Sequence, residues 1–372
     1  MAATNTLRLE TTHGTEHGEV LSEERQGQTG LGIHRRVEQV AWKLGRQFVR
    51  PFVNPGLTTV PGYRPVRHVV LKPDKQFMAK TKAGVVPMYV FNPDALGDRS
   101  EASDIYMHMG LAVRADQGFI APTIASLIPK IREQGRALVA IGAPATAGHF
   151  PTPAQLYRYN LGSTVEVTHD AIDRLAESER TELTWGVHFG PSLGGYLALT
   201  FADVGLALER EVAGKPAHEV TMSIPVAPAG WDLRRHQQLQ TLFQFTVLEP
   251  AHVIDKAGAM EPDERGEYLT ALKETRPHLS ALSGISKLAV DFFFAGDLEQ
   301  RIGNIPTDLP IRAIAFDRDL VTLPHVLVKY LEHGYFTDAT VPVVDGQHLS
   351  LASMRKVMQE VVFAALDEEY DF

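Results

Sequence analysis

The stretch WGVHFGPSLGGYLALTFAD, Trp185 to Asp203, decides how this sequence folds. An apolar run ends in Gly190-Pro191-Ser192-Leu193-Gly194-Gly195, and an Ala- and Leu-rich run follows. The first part has the composition of a buried strand and the second that of a helix. A strand that becomes a helix over so short a link must turn sharply, and glycines permit this where a Cβ would clash. A serine at the tip has its hydroxyl lifted above the sheet edge, with the next backbone N–H aimed at the same point. The stretch is either a tight turn with a bystander serine or an elbow presenting a nucleophile. The Gly190-x-Ser192-x-Gly194 spacing, with strand before and helix after, favours the elbow. Pro191 is unusual before a nucleophile, but its fixed φ is compatible with a strand end.

Outward from the elbow, strand-like and helix-like segments alternate. Val66–Leu71, Val85–Phe91, Asp104–Gly110, Arg136–Pro144, 183–190, His218–Pro228, Pro310–Phe316 and 339–346 read as strands. Pro122–Gly135, Thr168–Ser178, one long segment over 193–212, 323–334 and 351–370 read as helices. Several strands are apolar throughout, which predicts an α/β fold: a mostly parallel central sheet with helices on both faces. Residues 231–308 break the rhythm with mostly helical pattern and read as an inserted helical unit, a cap. Residues 1–30 are polar and read as a disordered tail. Residues 31–64 hold an amphipathic helix and a linker. Ile33, Val37, Val40, Ala41, Leu44 and Phe48 form its apolar stripe, and Arg35, Arg36, Lys43 and Arg46 its basic face. That face suits solvent, and also a membrane surface or an oligomer contact. The core is then 65–230 together with 309–372.

The bulk numbers exclude several classes. The 372 residues are 44% hydrophobic and 22% charged, enough for a large core and against global disorder. A net charge of −9 argues against nucleic-acid binding through phosphates. Cysteine is absent, which removes disulfides and thiol nucleophiles and fits a reducing, cytoplasmic setting. No run approaches the ~18 uninterrupted apolar residues of a spanning helix, and the first residues do not form a secretory signal. His13 and His17 share helical spacing, but beside Gly14 in a polar tail they read as solvated, so no metal site is expected.

A neutral serine needs a base and oxyanion donors. VPVVDGQHLSL supplies His348 directly after strand-like residues and before the last helix. His188 is a competitor close to Ser192, but it lies within the strand and is expected to pack. The acid that orients the imidazole is sought in AIAFDRDLVTLP, where Asp319 lies past the strand and Asp317 at its end; Asp232 is a further alternative.

With these residues the sequence resembles the α/β-hydrolase family. The order Ser192, Asp319, His348 matches the family's order of nucleophile, acid and histidine, and the resemblance covers most of 65–372. The 231–308 unit looks like the family's cap. YMHMGLA, Tyr106–Ala112, is similar to its His-Gly segment, with Met109 between His108 and Gly110. The resemblance implies oxyanion donors at the N–H of Leu193 and of Leu111. It implies an acyl-enzyme on Ser192, ester, thioester or lactone hydrolysis, and no cofactor. The expected partner is a small acyl substrate, with Trp231, Phe243, Phe245 and Phe292 suggesting an apolar one. Acyl transfer, or a non-catalytic binding protein on the same fold, remain the alternatives.

Overall fold

The computed structural model describes residues 71–82, 84–98, 103–110, 120–143, 161–183, 185–231, 296–319, 322–346 and 360–368. The predicted tail with its histidines, the 31–64 helix, Val66–Val70 and residues 232–295 of the inserted unit lie outside the described residues.

The strands are β1 (Lys75–Thr81), β2 (Gly84–Phe91), β3 (Asp104–His108), β4 (Leu138–Ile141), β5 (Trp185–Pro191), β6 (Glu219–Val226), β7 (Ile311–Arg312), β8 (Ala315–Phe316), β9 (Ala339–Thr340) and β10 (Val343–Val344). Eight of them form one sheet in the order β1-β2-β4-β3-β5-β6-β7-β9, and β8 pairs with β10. The β1–β2 and β2–β4 pairs are antiparallel, and every other pair is parallel. Every residue of β3 and β4 is buried. Strands buried on both faces require layers on each side.

The helices supply those layers: α1 (Ile120–Glu133), α2 (Leu161–Glu179), α3 (Leu193–Thr200), α4 (Val204–Val212), α5 (Leu298–Ile302), α6 (Pro324–Leu327) and residues 360–368. On α2, Leu161, Val165, Thr168, Ile172 and Leu175 recur at helical spacing and are buried. Helix α3 lies on β5, β6 and β3. Lys130 on α1 forms a salt bridge with Asp367, so the last helical residues close against α1. Among the described residues, no helix is long and apolar enough to cross a membrane.

Local details differ from the sequence expectation. The single helix expected over 193–212 is two. Every residue of α3 is buried, whereas α4 exposes Val204, Leu208 and Val212. A helix buried all round and a surface helix cannot share one axis here. The chain breaks at Asp203, whose carboxylate caps α4 by accepting from Gly205 N–H at 2.9 Å. Pro310–Phe316 and 339–346 each divide into two short strands, with Pro342 lacking the N–H to continue the ladder. Strand β1 was not anticipated. It is a half-exposed edge strand with lysines at both ends of an alternating pattern.

Asp104, the first residue of β3, is buried. Desolvation lifts its carboxyl from the usual 3.8 to about 7, against the opposing pull of Gly97 N–H, Arg136 and Tyr106. The unfolded chain ionises near 3.8 and the folded chain near 7, so this group is least destabilising in acid, and its penalty grows between those values. Asp104→Asn, which keeps an acceptor for Gly97, is expected to stabilise the fold at pH 8 by up to about 4 kcal/mol and to add nothing at pH 4. Denaturant titrations at the two pH values check it; an equal effect at both would show that the carboxyl is not held neutral.

Candidate active site

Strand β5 reaches the carboxyl edge of the sheet between β3 and β6 and turns at Ser192 into α3. Ser192 has φ 55° and ψ −114°, a conformation that L-residues rarely adopt. The strain is maintained by bonds on both sides. Ser192 N–H donates to Val226 O at 2.8 Å, and its carbonyl accepts from Tyr196 N–H at 3.0 Å and Ala229 N–H at 3.1 Å. The two bracketing glycines are required by crowding. A Cβ on Gly190 would stand 2.2 Å from the carbonyl oxygen of His108, and one on Gly194 would stand 2.1 Å from the same atom. The end of β3 is thus wedged against the elbow.

Leu193 through Thr200 are buried, while Ser192 itself is half-buried and reaches the surface. Leu193 is the first helical residue, where an N–H has no intrahelical acceptor and the helix dipole favours negative charge. This is the arrangement an oxyanion donor needs.

The acid candidates separate clearly. Asp319 is buried, and its carboxylate accepts from Thr322 N–H at 2.9 Å. Thr322 Oγ1 donates to Pro228 O at 2.8 Å, and the neighbouring Ala229 bonds Ser192. The loop after β6 therefore ties the Asp319 turn to the serine elbow. Asp317 is half-exposed and accepts from Gly346 N–H at 2.9 Å, while Arg318 N–H donates to Gly346 O at 3.0 Å. It braces the chain two residues before His348. His348, Leu111 and Asp232 lie outside the described residues.

His188 is buried in the sheet and bonded to His108 at 2.9 Å, which removes it as an exposed base. Four buried histidines, His108, His169, His188 and His218, gather about the ring of Phe201. Sequence reasoning did not anticipate this cluster, because its members come from β3, α2, β5 and the residue before β6. Desolvation holds all four below the usual 6.5, His108 near 3. In His188 the neighbouring His108 adds to desolvation, and in His218 the bonded Asp173 opposes it. Their neutral forms belong to the fold, so stability is full above 6.5 and falls as the pH drops below it, opposite in sign to Asp104. Four groups outweigh one, and Tm is expected to fall by several degrees between pH 7.5 and 5.5, measured by calorimetry.

Among the described residues, no cluster of three or more His, Cys, Asp or Glu side chains is suited to a metal. A cleft of about 930 Å³, lined among others by Asp173, Arg174, Lys215 and His218, lies before the starts of β5 and β6. Parallel sheets bind ligands at the carboxyl ends of their strands, which favours the Ser192 edge over this cleft.

Among solved structures, this chain is similar to a hydrolase from Pseudomonas aeruginosa PA01, at 12% identity and a TM-score of 0.52, over 79% of this chain and 99% of that one. It is similar to the enol-lactonase from Burkholderia xenovorans LB400, at 13% identity and a TM-score of 0.52, over 78% and 100%. The chain has the α/β-hydrolase fold. A thermophilic esterase from Thermogutta terrifontis shares that fold at 11% identity and a TM-score of 0.51, over 80% and 99%. No family model and no curated protein matches the sequence.

Residues 296–302 are fastened to this edge. Tyr196 OH donates to Asp297 at 2.7 Å, and Arg301 bridges Asp297 at 2.6 Å and Asp203 at 3.0 Å. Burial, then the Asp297 charge, pushes the Tyr196 phenol well above its usual value, so it remains a donor.

Proposed function

We propose that this protein is a serine hydrolase that cleaves a carboxylic ester, thioester or lactone through an acyl-enzyme on Ser192. The strained φ of Ser192, at the tip of a turn that admits no Cβ on either side, carries the reading. The solved structures of similar fold include an esterase and an enol-lactonase, which agrees with ester-like substrates. Ser192 Oγ attacks the acyl carbon while His348 takes its proton. The oxyanion is received by the N–H groups of Leu193 and Leu111. The bond to the leaving group breaks as His348 returns the proton, and water then releases the acid by the same path. Asp319 orients His348 and balances the imidazolium charge. The cap we propose over the site is confined to residues 232–295, since Trp231 and residues 296–308 pack into the body, and the aromatic side chains of that segment favour an apolar acyl group.

The two carboxylates divide the roles. Asp319→Ala is expected to lower kcat for a p-nitrophenyl ester by about 10³–10⁴-fold. Asp317→Ala should change kcat by less than about tenfold while lowering Tm, since it loosens only the turn at Gly346. Steady-state kinetics on both variants check this, and the reverse ranking would move the acid to Asp317.

The reading itself is tested with a fluorophosphonate followed by intact mass and peptide mapping. One adduct on Ser192, lost in Ser192→Ala and His348→Ala, is expected. Well-folded protein that takes no adduct would overturn it.

A further inference from the structure

We propose that His108 and His188 are a pair of positioning residues that lock the oxyanion-side segment after β3 to the nucleophile strand β5. The inference rests on the serine-hydrolase reading and adds to it two residues that touch neither substrate nor reacting atoms. The backbone pairing of β3 with β5 ends at Met107 and Phe189. Beyond that point one chain bends into the elbow and the other enters the segment that leads to Leu111. The two imidazoles bridge this place: His108 stands one residue past the last pair, and its Nε2 lies 2.9 Å from Nδ1 of His188. The same residue's carbonyl oxygen is the atom wedged between Gly190 and Gly194. His108 is therefore fixed by its side chain to β5 and by its main chain to the turn that holds Ser192.

The packing leaves the pair little freedom. His188 stacks on Tyr106 at 4.9 Å and against Phe201 at 4.6 Å, and His108 lies 5.0 Å from Phe201. His169 also stacks on Phe201, at 3.8 Å, and is backed in turn by His218, Asp173 and Arg210. Among the described residues, Nδ1 of His108 has no hydrogen-bond partner. A buried acceptor without a donor is tolerated better than a buried N–H without an acceptor. This puts the proton on Nε2 of His108, donating to Nδ1 of His188. An ordinary core would fill these positions with apolar groups, because a buried polar pair adds little net stability over an apolar one. What the bond adds is a fixed distance between the two strands that carry opposite sides of the site, where displacements of about 1 Å reduce rates by orders of magnitude.

The experiment compares second-order fluorophosphonate labelling rates of Ser192, per folded molecule, in the wild type and two variants at temperatures well below each Tm. His108→Leu with His188→Leu removes both polar groups together, leaving no orphan to unfold the protein. His188→Asn keeps an acceptor near the position of Nδ1 while losing ring packing. The double variant is expected to label at least about tenfold more slowly than wild type, and His188→Asn within about threefold of wild type, with Tm lowered in His188→Asn. A double variant that labels as fast as wild type would overturn the proposal and leave the serine reading intact. So would a His188→Asn as slow as the double variant, since ring packing alone would then explain the loss. A wild type unlabelled on Ser192 would instead remove the serine reading and this inference with it.

Discussion

Ser192→Ala is expected to reduce hydrolysis of a p-nitrophenyl ester by about 10³-fold or more, to the level left by binding and the oxyanion donors alone. The fold should survive the change, because the hydroxyl is not what shapes the turn. The backbone bonds of Ser192 to Val226, Tyr196 and Ala229 remain in the variant. A second substitution at the same position separates chemistry from strain. At φ 55° any L-residue is strained, and glycine is not. Ser192→Gly should therefore be inactive yet more stable than wild type by about 1 kcal/mol, a site that trades stability for a presented hydroxyl. Progress curves and a urea midpoint measured on the same samples decide it. Activity retained in Ser192→Ala would remove the nucleophile, and no gain in Ser192→Gly would remove the strain argument.

Gly194→Ala should be among the most damaging single-methyl additions in the molecule. The new Cβ would stand 2.1 Å from the carbonyl oxygen of His108 and 2.8 Å from its carbon. Backbone, not a flexible side-chain tip, meets it. That backbone has little room to retreat, since Met109 N–H is bonded to Ile141 O at 3.0 Å and the His108 ring to His188. The expected destabilisation is about 3 kcal/mol or more, with activity lost even in the folded fraction as the elbow shifts. Gly303→Ala is the control. Its methyl would meet only Gln300 O at 3.8 Å, and the change should stay within about 0.5 kcal/mol. Equal urea midpoints for the two variants would contradict the crowding at the elbow.

The alternation of apolar strands with amphipathic helices was legible because each period is local. A run such as Leu138–Ile141 and a stripe such as Thr168, Ala171, Ile172 and Leu175 carry their own signal, whereas the first turns of α2, from Leu161, were not read as helix. The G-x-S-x-G turn was legible for the same reason, since its strand, its glycines and its helix are contiguous. Strand β1 was missed because a half-polar edge strand has little apolar signal to find. The break at Asp203 was missed because propensity runs through it, and only the burial of α3 against β5 and β6 separates it from the exposed α4. Of the two carboxylates at the end of β8, sequence order favoured Asp319 over Asp317, but their surroundings could not be read. Their difference, one buried beside Thr322 and one half-exposed under Gly346, depends on contacts with segments about 30 and more residues distant or on a turn that cannot be read locally.

The sequence by itself determined the α/β class, the place of the turn and the residue at its tip, because periodicity and glycine spacing are short-range properties of the chain. Tertiary structure alone decided why Gly190 and Gly194 admit no Cβ, since the obstructing atom belongs to His108, some eighty residues earlier. It also decided that four histidines from separate segments share one ring, and that Asp317 braces a turn while Asp319 is buried. Each depends on which atoms the parallel sheet brings together across large sequence separations, and no local pattern encodes that proximity.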